Sequence, residues 1–149
     1  MDDRQRGALV FVASQLVFVA ALLHVGMGAA EWYRYVSVGI LVSPDVRWPL
    51  FVLSGVAIVA GLALAARSAE RKRWYLLGFL AMVGYVLAYF AWPLGGHRPL
   101  FVAGPSTSHP LTVAFVVDHF FAGVLETIAL TVELLAAALL AVLYVFDEE

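Results

Sequence analysis

Five ionisable side chains stand inside or at the edge of long apolar runs: His24 in the first run, and Asp118, His119, Glu126 and Glu133 in the last. In lipid a charged acid at the centre of a span costs ~2.5–3.5 kcal/mol on insertion scales, so such residues call for an explanation. On a helix turning 100° per residue, Glu126 falls about 20° from His119 and Glu133 about 40°, which predicts a single polar stripe with Asp118 at its margin. His24 and Glu31, seven residues apart, share a face of the first helix. The spacing further predicts that His24 and His119 face each other at similar depth, with Glu126 ~10 Å deeper and Glu133 near the midplane.

Three chemistries suit these residues. Carboxyl and imidazole groups at one-turn to two-turn spacing can relay protons or ions along a polar seam, the seam serving equally as a dock for a partner subunit. Two histidines on opposing helices, His24 and His119, can ligate haem axially, or join carboxylates around a metal. There is no Glu-x-x-His pair, and His119 and Glu126 are ~10.5 Å apart along one helix, so a metal would need ligands from both helices. In the third reading the acids are protonated and only fix packing through hydrogen bonds between helices. Each residue also has a plainer place: His24 as a neutral residue near an interface, Asp118 and His119 as the hydrated start of a helix whose dipole favours an acid. His97 and His109 read as solvated loop residues. No P-loop, G-x-S-x-G, H-E-x-x-H or dinucleotide fingerprint is present, which leaves no positive case for an enzyme.

The elements that carry these residues follow from composition. Of 149 residues 63% are hydrophobic and 13% charged, with a mean hydropathy of +0.91, whereas a soluble domain carries roughly 25% charged residues. The expectation is an all-α, integral membrane four-helix bundle in one domain, multi-pass in the cell membrane, with the lipid bilayer as its main partner. Spans need about 20 apolar residues, and four segments qualify, at about 7–30, 48–66, 74–92 and 118–146. If the last began at Leu111 it would run ~54 Å, so residues 111–117 are assigned to an interfacial or kinked approach, with Gly123 the bending point. Ser43-Pro44-Asp45, Pro93-Leu94-Gly95-Gly96, Gly104-Pro105 and His109-Pro110 mark the turns.

Orientation comes from the basic residues of short loops. Arg4, Arg6, Arg67, Arg71, Lys72 and Arg73 lie on one side, Arg34, Arg47 and Arg98 on the other, which predicts both termini in the cytoplasm. Aromatic belts agree, with Trp32, Tyr33, Tyr35, Trp48, Tyr89 and Trp92 at one interface and Trp74, Tyr75 and Tyr144 at the other. The first segment shares Arg4, Arg6 and the small residues Gly28 and Ala30 with a signal peptide, but its apolar stretch is longer than an h-region, so a retained helix is expected. Small residues at helical spacing predict close packing: Ala57, Gly61 and Ala65 in the second helix, Gly84 and Ala88 in the third, Ser14, Ala21 and Gly28 in the first. The chain has no cysteine and a formal net charge of -2, which excludes a disulfide framework or thiolate site and gives no footing for nucleic acid.

The stretch Leu23-His24-Val25-Gly26-Met27-Gly28 with Glu31-Trp32, together with the length and four spans, resembles DoxX-like small membrane proteins, and the residue usage resembles that of haloarchaeal membrane proteins. This resemblance implies an association with respiratory or redox membrane complexes, and hence other membrane subunits or self-association as partners. It implies no role for any single residue.

Overall fold

A computed structural model describes residues 1–95 and 110–147. His97, Arg98, His109 and the turn at Gly104-Pro105 lie outside the described residues. Every regular element among the described residues is a helix: α1 (Asp3–Val36), α2 (Arg47–Ala65), α3 (Arg71–Leu94), α4 (Val113–Phe120) and α5 (Val124–Phe146). Four of these, α1, α2, α3 and α5, are long and apolar enough to cross a membrane.

Local chemistry sets their ends. A capping box starts α1, in which Asp2 accepts from the Gln5 amide at 2.7 Å and Gln5 accepts from the Asp2 amide at 3.3 Å. Its far end closes where Gly39 adopts a positive φ of 84° and the Ile40 amide reaches back to the Tyr35 carbonyl. Pro49 sits in the first turn of α2, where an amide has no helical partner to lose.

Beyond shifts of up to four residues at other helix ends, two boundaries differ from the sequence reading. Helix α1 runs to Val36 rather than to about residue 30. The final apolar run is two helices, because Phe121 ends α4 and Gly123, in extended conformation, caps α5. The bend expected at Gly123 is thus a full break, and residues 113–117 belong to the helix before it. Thr127 stabilises this break: its hydroxyl donates to the carbonyls of Phe120 at 2.9 Å and Gly123 at 2.8 Å, giving the Phe120 carbonyl a donor, while that of Gly123 also takes the Thr127 amide at 3.0 Å.

Helix α1 is the hub. It packs on α2 along one face and on α5 along another, while α3 packs on α5, and α2 and α3 scarcely meet. The α1–α2 contact is backbone-close: a Cβ at Gly28 would stand 2.7 Å from the Trp48 carbonyl oxygen, and one at Gly55 2.8 Å from that of Ala21. Ala21 and Gly28 therefore pack as the sequence predicts. Gly84, by contrast, is exposed with open space around it, and Gly61 has only the Trp74 ring tip within reach. The core between α1, α3 and α5 is built from small and branched residues, Ala13, Val17 and Ala20 against Ala136, Ala137, Leu140 and Leu143, with Met82 between. Phe11, Leu22, Leu53, Leu64 and Leu87 point outward and are exposed.

At the end of the bundle where the termini meet, Asp147 is only 2% exposed. It accepts a hydrogen bond from the Tyr75 hydroxyl at 3.0 Å and lies 3.5 Å from Arg6 Nη1 and 3.4 Å from Arg71 Nε. One carboxylate so joins the starts of α1 and α3 to the end of α5.

Candidate functional site: a polar chamber at the end away from the termini

The late turns of α1 and α3 and the early turns of α2 and α5 enclose a chamber of about 260 Å³. Its floor is a buried pair. His24 on α1 is 7% exposed and Glu133 on α5 is 2% exposed, and His24 Nε2 stands 3.4 Å from Glu133 Oε1. His24 Nδ1 donates to the Ala20 carbonyl at 3.0 Å, since a carbonyl can only accept. That bond fixes the proton on Nδ1, so Nε2 of a neutral imidazole faces Glu133 with its lone pair. A buried pair of this kind carries no net charge in either of two forms, a neutral imidazole with a carboxylic acid or imidazolium with carboxylate, which is the condition for keeping two ionisable groups out of water.

Aromatic rings hold His24 in place. Tyr85 of α3 stacks over it at 3.8 Å between centroids, and Phe51 of α2 meets it edge-on at 4.8 Å. The Tyr85 hydroxyl is buried with no hydrogen-bond partner among the described residues; the nearby Ser54 hydroxyl donates instead to the Phe51 carbonyl at 3.2 Å. Buried polar atoms in native proteins are nearly always satisfied, and the Ser54 oxygen, free to accept while its proton goes to Phe51, is the neighbouring group closest to satisfying Tyr85.

The mouth is made by Arg47, Trp48, Trp92 and His119. Arg47 lies 4.1 Å over the Trp92 ring and 4.9 Å from that of Trp48, and its guanidinium grips Asp45 through Nη2 at 2.6 Å and Nε at 3.0 Å. Burial alone would push the Asp45 carboxyl up, but the Arg47 hydrogen bonds and charge outweigh it and hold the group below its ordinary value. His119 stacks on Phe115 at 4.1 Å, with Nδ1 donating to the Phe115 carbonyl at 2.9 Å. Tyr89 of α3 donates to the His119 carbonyl at 2.7 Å and so anchors α4 over the chamber.

The structure brings four of the five residues singled out from sequence, His24, His119, Glu126 and Glu133, to one chamber. Asp118 is exposed on α4 and is not among its walls. The route by which they meet differs from the continuous stripe expected. The break at residues 121–123 puts His119 on a separate helix, and Glu126 in the first turn of α5, where the helix dipole favours an acid. His24 shares the level of Glu133 rather than that of His119. Each histidine ring has its own aromatic neighbour, Tyr85 for His24 and Phe115 for His119. Among the described residues no three of His, Cys, Asp and Glu converge to hold a metal ion.

Sequence reasoning missed Tyr85, Phe51 and Arg47. Tyr85 carried a signal, a hydroxyl in mid-span one turn from Tyr89 and on the same face. Comparison with known proteins returned no match: no family model, no curated protein and no solved structure corresponds to the chain.

Proposed function

We propose that the chain is a four-span integral membrane protein whose chamber loads and releases a proton at the His24–Glu133 pair, acting as a proton-handling or ion-handling subunit of a membrane assembly. The observation that carries this reading is the buried contact at 3.4 Å between two titratable groups on different helices, at the floor of a cavity that Tyr85 also lines. Four apolar helices support insertion into the cell membrane. Arg6 and Arg71 meet Asp147, so the start of α1 and the end of α5 lie beside the basic segment 67–73, and retention of positive charge in the cytoplasm supports both termini inside and the chamber opening outside. Kinship with DoxX-like proteins would supply a respiratory or redox assembly as the setting.

The chain by itself is a half-channel. Beyond Glu133, the buried face of α5 is apolar, Ala136, Ala137, Leu140 and Leu143, until Asp147, ~21 Å further along the helix. A proton entering from outside stops at Glu133 unless a partner or a movement extends the route. The test is proton uptake by the purified protein after a small alkaline-to-acid jump, followed with a pH dye. Wild type takes up a proton that Glu133→Gln does not, whereas Asp118→Asn leaves uptake intact. Equal uptake by wild type and Glu133→Gln sinks the proposal. Liposome flux then separates a half-channel, with no net transport by the isolated chain, from a complete path.

A further inference from the structure

A second cavity, of about 640 Å³, lies at the end of the bundle where the termini meet. It exists because α2 and α3, though consecutive, pack on α1 and α5 instead of on each other. The resulting trough has Ala57, Gly61 and Ala65 of α2 on one wall and Leu77, Gly78 and Ala81 of α3 on the other. The small residues that would let α2 approach a neighbouring helix closely thus face open space.

The mouth of this trough is polar and basic. Ser68 and Arg71 line it, and the loop they belong to carries Arg67, Arg71, Lys72 and Arg73 against one acid, Glu70. Glu70 is 3.4 Å from Arg73 and Arg71 is 3.4 Å from Asp147, while Arg67 and Lys72 have no carboxylate partner among the described residues. Surplus positive charge therefore sits where an apolar slot meets the membrane surface.

We propose that the trough between α2 and α3 binds one anionic phospholipid, an acyl chain lying along Gly61 and Gly78 and the phosphate held by Arg71 and Lys72. An apolar slot one leaflet deep with a basic rim on the cytoplasmic side is the arrangement that selects anionic headgroups between spans. A partner helix or a second copy would fill the slot without using the charge at its mouth. The inference rests on the membrane insertion proposed above and not on the chemistry of the chamber.

The experiment is native mass spectrometry of the purified protein in neutral detergent with phosphatidylglycerol or phosphatidylcholine of identical chains. One phosphatidylglycerol per chain is retained, preferred about tenfold or more over phosphatidylcholine. Lys72→Ala, in the first turn of α3, weakens retention by about five-fold. Gly61→Leu, whose Cβ meets only the Trp74 ring tip at 3.9 Å, fills the slot and abolishes retention, with the helical circular dichroism of wild type as the check on folding. Equal retention of the two lipids overturns the proposal, as does retention indifferent to Gly61→Leu. A dimer that Gly61→Leu dissolves overturns it in favour of a second copy. Carbonate extraction of native membranes tests insertion separately, so its failure is told apart from a lack of lipid selectivity.

Discussion

Because the Ala20 carbonyl holds the proton on His24 Nδ1, what replaces Glu133 decides whether the pair is merely neutralised or broken. Glu133→Gln keeps a donor for Nε2 and is expected to cost less than about 1.5 kcal/mol of stability. Glu133→Ala removes the partner, leaves a void and is expected to cost about 3–5 kcal/mol; thermal unfolding in detergent measures both. Tyr85→Phe removes an unsatisfied buried hydroxyl and should leave stability unchanged or raised. At the mouth, the lowered Asp45 carboxyl contributes stability that is fully present above the ordinary carboxylate value, about 4, and is lost as pH falls through the depressed one. Asp45→Asn should therefore lower stability at neutral pH and flatten the acid limb, the two profiles converging below the depressed value. His24 and Glu133 were legible in the sequence as residues too costly to lie in lipid without a partner. Their pairing was not, because the depth of His24 depends on where α1 ends, and α1 continues six residues, ~9 Å, past the expected boundary.

Among elements, the division of the last apolar run shows what hydropathy cannot report. Residues 111–146 are apolar throughout apart from the acids, His119 and the threonines, so only backbone chemistry at Gly123 and the Thr127 hydroxyl reveals that they form two helices. Thr127→Val keeps the shape and strips the hydroxyl from two carbonyls. It should cost about 1–3 kcal/mol and loosen α4 over the chamber, which amide exchange across residues 113–120 would register. Small residues were equally ambiguous. Gly55 and Gly84 are indistinguishable as letters within apolar helices, yet Gly55 faces the Ala21 carbonyl and Gly84 faces nothing. Gly55→Val is expected to separate α1 from α2 and lower the unfolding temperature sharply, while Gly84→Val should be tolerated. The difference follows from which helix α2 chooses as neighbour, a three-dimensional fact that residue spacing alone does not encode.

For the molecule as a whole, all-helical architecture and four long apolar elements were readable from composition and run length, since lipid-scale hydrophobicity leaves few other folds. Asp147 was not, for it sits at the very end of the apolar run and looks like a solvated terminus in sequence. Asp147→Ala should uncouple Tyr75, Arg6 and Arg71 and cost more than any of the three partners changed singly, as a double-mutant series would show. Topology can be mapped directly because the chain contains no cysteine: a cysteine at Ser37 should react with an impermeant maleimide on intact cells, and one at Ser68 only after permeabilisation. The pairing of the first span with the last carries a consequence for biogenesis. In a chain that spans the membrane as proposed, α1 and α2 can close their glycine contact before α5 has been made, whereas His24 meets Glu133 only after α5 has joined them, so the element made first is the one whose buried polar group is satisfied late.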